Sequence, residues 1–122
     1  MLSGYLDDIG YAIQSYAESH GFSIVRDFCG HGLGRQFHHQ PSVVHYGQPG
    51  YGDVLRAGMF FTIEPMINAG LREVVILEDG WTTITKDGSL SAQFEHAIGV
   101  TEEGKEIFTL SPAGYTKPPY QT

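Results

Sequence analysis

The chain has little with which to cross-link itself or to hold polyanions. It has a single cysteine, Cys29, which excludes an internal disulfide and suits a reducing compartment. Seven basic side chains face fourteen acidic ones, a net charge of -7. That balance argues against nucleic acid or an anionic membrane as the main partner. No apolar run approaches the roughly 18 residues of a membrane span, and the N-terminus lacks the basic and apolar regions of a secretory signal. These absences make the cytoplasm the default location. What is there is ordinary for a globular domain: 122 residues, 41% hydrophobic and 17% charged, enough for one domain with its own core.

Residues 5–20 read as one amphipathic helix. Ile9, Ala12, Ile13, Tyr16 and Ala17 recur at the spacing of a buried stripe, Asp7 and Asp8 suit its start, and Gly21 suits its end. The texture then changes. Residues 22–28 suggest a short strand, and residues 29–34 place Gly30, Gly32 and Gly34 around His31, which predicts a tight turn with the imidazole at its tip. Residues 40–58, rich in glycine and proline, predict a long ordered loop. The rest reads as β-structure. An apolar run spans 59–67, Asp79-Gly80 joins residues 73–78 to 81–85 as a hairpin, a longer strand spans 92–101, and a short one lies near Ile107. Residues 112–122, with Pro112, Pro118 and Pro119, suggest an irregular tail. One helix followed by mainly antiparallel strands is an α+β domain, here over residues 1–111.

Three residues ask for a cation. Glu64 stands within Phe60-Phe61-Thr62-Ile63-Glu64-Pro65-Met66-Ile67, where an unpaired buried carboxylate costs several kcal/mol or takes up a proton. Glu95 repeats the situation in Gln93-Phe94-Glu95-His96-Ala97-Ile98. Strand alternation there places Gln93, Glu95 and Ala97 on one face and Phe94, His96 and Ile98 on the other. His31 is the third. The competing readings are a surface-loop histidine and strand-end glutamates with their heads in water. An imidazole with carboxylates suits zinc, manganese, iron or cobalt without choosing among them. Helical H-E-x-x-H and Cys-x-x-Cys are both absent, and the glycines do not form a nucleotide loop. His38 can orient substrate or donate to an oxyanion, whereas His39 reads as a plain loop histidine. Cys29 reads as a small packed residue, and Trp81 as core or rim.

Taken in order, Cys29-Gly30-His31-Gly32-Leu33-Gly34, Phe37-His38, Pro41, His45-Tyr46 and the segment Phe61 through Gly70 resemble type I methionine aminopeptidases. So do Asp79-Gly80-Trp81-Thr82, Lys86-Asp87 and the segment Ser89 through His96. The resemblance runs from about Asp8 to Leu110. It implies the C-terminal half of a pita-bread fold, a metallo-exopeptidase activity that removes the initiator methionine from nascent peptides, and a divalent metal cofactor. By position it implies His31, Glu64 and Glu95 as metal ligands and His38 and Glu64 as catalytic residues. Phe37, Trp81 and Gln93 match residues at the methionine pocket. Two aspartate ligands of the family belong to its N-terminal half. The aspartates here, at 7, 8, 27, 53, 79 and 87, supply no such pair in an apolar strand before His31. The resemblance therefore leads to the expectation of a truncated chain that holds at most one metal. Such a chain would self-associate or pair with an N-terminal half, and an inactive fragment is the alternative to an enzyme.

Overall fold

The computed structural model describes residues 4–115. Helix α1, Leu6–Ser19, begins where expected. Asp8 accepts the Tyr5 N–H at 2.8 Å and so occupies a donor that the first helical turn leaves over. The helix ends just before Gly21. Its buried face is narrower than the sequence stripe: Leu6, Gly10 and Ala17 are buried, but Ala12 and Tyr16 are exposed. Gly10 explains the offset. A side chain there would collide with the backbone of Tyr46, so the helix docks through its glycine face and leaves part of the apolar stripe outside.

Ten short strands follow among the described residues: β1 (Ser23–Ile24), β2 (Gly30–Gly32), β3 (His39–Val43), β4 (Phe60–Ile63), β5 (Met66–Asn68), β6 (Val74–Ile76), β7 (Thr83–Thr85), β8 (Ser91–Gln93), β9 (His96–Val100) and β10 (Lys105–Ile107). A five-stranded sheet has the order β10-β9-β4-β2-β3, a three-stranded sheet the order β1-β5-β8, and β6-β7 form a separate hairpin. Every pairing is antiparallel. Leu6, Val43, Phe61, Ile98 and Val100 make the core between α1 and the large sheet, with Ile9, Leu55, Met59 and Ile63 packed against them. The α+β class expected from the sequence holds, and so does the Asp79-Gly80 hairpin.

Four expectations need correction. The glycine-flanked His31 is not at the tip of a turn but within strand β2, between β3 and β4. Gly30 and Gly32 are there because the neighbouring backbones come too close for a side chain: a Cβ would strike the Thr62 carbonyl in one case and that of Gln40 in the other. The segment 22–28 yields only β1, extended by one ladder-like bond from Val25 N–H to the Met66 carbonyl at 3.0 Å. The start of the expected 40–58 loop is strand β3; the remainder is held to the start of α1 by bonds such as Leu6 N–H to the Asp53 carbonyl at 2.8 Å and Gly50 N–H to Asp8 at 2.7 Å.

The fourth correction positions the site. Neither 59–67 nor 92–101 is one strand. The first divides into β4 and β5 around Glu64-Pro65, and the second into β8 and β9 around Phe94-Glu95. Because β4 pairs with β9 and β5 with β8, Ile63 lies opposite His96 and Met66 opposite Gln93, so the two interruptions face each other. Pro65 has no N–H to give a ladder. The backbone groups of Glu64 go to side chains instead: its N–H to His45 Nε2 at 3.0 Å, and its carbonyl accepts from Gln93 Nε2 at 3.2 Å. The face alternation expected along 93–98 is broken at the same place. Of the expected tail, 112–115 is irregular, and 116–122 lies outside the described residues.

Candidate metal centre

The opposed strand breaks bring Glu64 and Glu95 together, and β2, next to β4, brings His31 to them. One ligand atom from each of the three lies within 4.8 Å of the others, the group of that kind found among the described residues. His31 and Glu64 are mostly enclosed, whereas Glu95 is exposed.

Hydrogen bonds fix the direction of each side chain. The Thr62 hydroxyl accepts the His31 N–H at 3.0 Å and donates to Glu64 Oε2 at 2.7 Å, joining the two ligands through one buried residue. His31 Nδ1 lies 3.1 Å from the Gly32 carbonyl, which can only accept, so Nδ1 carries the proton. In a neutral imidazole Nε2 then presents a lone pair to Glu64 Oε2 at 3.5 Å. Two acceptors face one another with no donor between them. Glu95 adds to the crowding: burial, the charge of Glu64 and a hydrogen bond shared with Glu64 raise its pKa, while His31 and His38 pull it down. A cation would relieve both strains.

Around this group, the His38 ring stands edge-on to His31 with centroids 4.4 Å apart, and Phe37 packs against both, tilted to His31 and edge-on to His38. His31, His38, Glu64, Cys29, Gln40 and Ser42 are among the residues lining an open groove of about 550 Å³. Cys29, just before β2, is exposed, not packed, and lines this groove.

Residues 4–102 match metallopeptidase family M24. The chain belongs to that family. It is 62% identical over 116 residues to a methionine aminopeptidase of Rickettsia prowazekii, covering 94% of this chain and 45% of that protein. It is 64% identical over 107 residues to methionine aminopeptidase A of a Synechocystis strain, covering 88% of this chain and 42% of that protein. The crystal structure of the Rickettsia prowazekii enzyme superposes with a TM-score of 0.87 at 61% identity over 88% of this chain and 44% of that one. That of Thermotoga maritima gives 0.85 at 50% identity, over 88% and 43%. The chain thus spans under half the length of the relatives it matches, and its fold is the matching part of the pita-bread fold.

An M24 member implies a divalent metal, and the donor set fits one. An imidazole and two carboxyl groups converge within 4.8 Å of one another, a donor set that suits a borderline divalent cation. Of the other residues singled out in the sequence, Phe37 and His38 lie against His31, and Gln93 reaches the Glu64 backbone. Trp81 lies at the β6–β7 turn, 87% exposed and outside the groove beside His31. His39, expected in a loop, is instead the first residue of β3, with its Nδ1 3.0 Å from the Gln40 carbonyl. Sequence reasoning passes over Thr62 and His45. Thr62 is hidden inside an apolar run. His45 lies in a segment that reads as loop, yet it is 1% exposed, and burial pushes its pKa down against the pull of Glu64.

Proposed function

We propose that this chain carries out metal-dependent removal of the N-terminal methionine from peptides, with His31, Glu64 and Glu95 holding the metal. The convergence of those three side chains within 4.8 Å carries the reading, and the M24 match and the methionine aminopeptidase relatives support it. When bound, a divalent cation supplies Lewis acidity toward the peptide carbonyl and lowers the pKa of water. Glu64 takes up the proton of the attacking water at its carboxylate. His38, exposed beside His31, donates to the oxyanion that develops on the scissile carbonyl. Phe37, beside His31, and Gln93, bonded to the Glu64 backbone, border the methionine side chain. The reading places the protein in the cytoplasm, where new chains carry their initiator methionine, and makes residues 1–111 the C-terminal half of a methionine aminopeptidase catalytic domain.

A second reading has one specific observation in its favour. The group of metal-binding residues found among the described residues has three members, enough for one ion but not for a two-metal clamp. In that reading the chain binds a single metal without turnover. Hydrolysis of a methionyl peptide with manganese or cobalt, against a His31→Ala control, separates the two. A rate above the control supports the peptidase. Equal rates, with metal still bound by the parent chain, support the second reading.

A further inference from the structure

Glu64 is the residue at which β4 stops, and its peptide N–H has left the ladder. It donates to His45 Nε2 at 3.0 Å. For that nitrogen to accept, the imidazole must be neutral and carry its proton on Nδ1. His45 is 1% exposed and lies just beyond β3 and its fully buried Val43, so its ring has little room to turn away. Glu64 is therefore gripped at three points. Thr62 holds its carboxylate at 2.7 Å, Gln93 its carbonyl at 3.2 Å, and His45 its N–H.

Loss of the N–H grip would act on the backbone itself, unlike loss of the carboxylate grip. A peptide N–H in so enclosed a place needs an acceptor. The nearest alternative is a continued β4–β9 ladder, since Ile63 already pairs with His96. Continuing the ladder by one residue would re-aim Glu64, because successive side chains along a strand point to opposite faces. The carboxylate would then leave the position 3.5 Å from His31 Nε2.

We propose that His45 is a positioning residue of the metal centre: as a neutral acceptor it takes the Glu64 N–H out of the sheet and so aims the Glu64 carboxylate at His31 and Glu95. The proposal rests on the metal reading above, but its own contact exists without metal. His45 touches neither substrate nor ion. It acts through the backbone of a ligand, unlike the usual supporting residue that bonds to a ligand's side chain. A histidine that merely filled core space would be replaceable by any apolar side chain of similar volume.

The test has two arms. In the ¹⁵N-labelled, metal-free chain, the N–H···N bond should give a measurable through-hydrogen-bond coupling between the Glu64 amide nitrogen and His45 Nε2, with the His45 proton on Nδ1. Absence of the coupling overturns the proposal, and this arm needs no variant to fold. In the second arm, manganese is titrated into the parent, His45→Leu and His45→Gln chains. His45→Leu should bind roughly 10–100-fold more weakly. His45→Gln, whose amide oxygen can accept the same N–H, should recover most of that loss. Parent-like affinity in His45→Leu removes the positioning role alone. A parent chain that binds no manganese removes the metal reading, and the ligand-positioning role with it.

Discussion

The hydroxyl of Thr62 donates to Glu64 Oε2 at 2.7 Å while accepting the His31 N–H at 3.0 Å, so one oxygen ties the imidazole strand to the carboxylate strand. Thr62 is 3% exposed and lies in β4, opposite Ala97 of β9. Replacing it by valine keeps the shape and leaves both groups without this partner. Thr62→Val should lose about 1–3 kcal/mol of stability and weaken metal binding roughly 10–100-fold. Thr62→Ser, which keeps the hydroxyl, should lose far less metal affinity. Denaturant melts and manganese titration of both variants check this, and equal affinities would show that the hydroxyl does not set the ligands.

The glycines around His31 make a sharper case, because they look alike in sequence and differ in the fold. A Cβ on Gly30 would strike the Thr62 carbonyl, whereas one on Gly34 would sit 3.6 Å from the His39 ring, an ordinary contact. Gly30→Ala must push β2 off β4 and should destabilise by about 1–3 kcal/mol or more. Gly34→Ala should stay within about 0.5 kcal/mol of the parent. Thermal melts distinguish the two at once. Similar losses in both would mean that these glycines serve turn geometry, as the sequence first suggests.

Those glycines also mark where the sequence stops being legible. A glycine repeat signals backbone freedom, but here the need is for close approach by Thr62 and Gln40, residues well away in the chain. Glu64 and Glu95 stand out because a carboxylate in an apolar run demands a partner, and the fold gives them each other. Their strands look continuous in sequence because periodicity does not register a break whose backbone groups are met by side chains 19 and 29 residues away, those of His45 and Gln93. Local signals fare better. The Asp79-Gly80 turn and the helix end before Gly21 depend on neighbours in sequence, and both are where the residues place them.

The same Asp79 gives a pH signature. Its carboxylate accepts from the Thr82 hydroxyl and from the Trp81 and Thr82 N–H groups, which together hold its pKa below the ordinary 3.8. Asp87 is lowered likewise, first by the Leu71 N–H and then by Ser89. A carboxyl whose folded pKa is depressed adds stability above its unfolded pKa, and that stability is lost as the pH falls through the folded value. The Trp81, Thr82 and Leu71 amide resonances should therefore titrate below pH 3.8, together with loosening of the β6–β7 hairpin. In Asp79→Asn, the Trp81 and Thr82 shifts should no longer respond, while Leu71 still follows Asp87. Titration of all three at or above the ordinary carboxyl range would contradict the bonding described.

The apolar stripe that α1 leaves outside predicts association. Ala12, Ile13, Tyr16 and Ala17 line one open groove of about 630 Å³, and Pro65, Ala69, Leu90 and Phe94 line another of about 520 Å³. Phe22 and Ile67 border both, so the two form one continuous face. Tyr16 is 72% exposed on it and Leu90 83%, so large apolar side chains face water across both grooves. A second copy is the occupant to expect, since the net charge of -7 disfavours nucleic acid and anionic membranes. That charge also opposes pairing of like chains, so added salt should strengthen the association by screening it. Sedimentation velocity over a wide concentration range should show reversible growth in mass, greater at high salt. Tyr16→Glu and Leu90→Glu, at opposite ends of the face and outside the core, should each shift the chain toward monomer with little change in melting. A parent chain that sediments as a monomer throughout, at both salt concentrations, would mean that this face stays open to water unless something other than a second copy covers it.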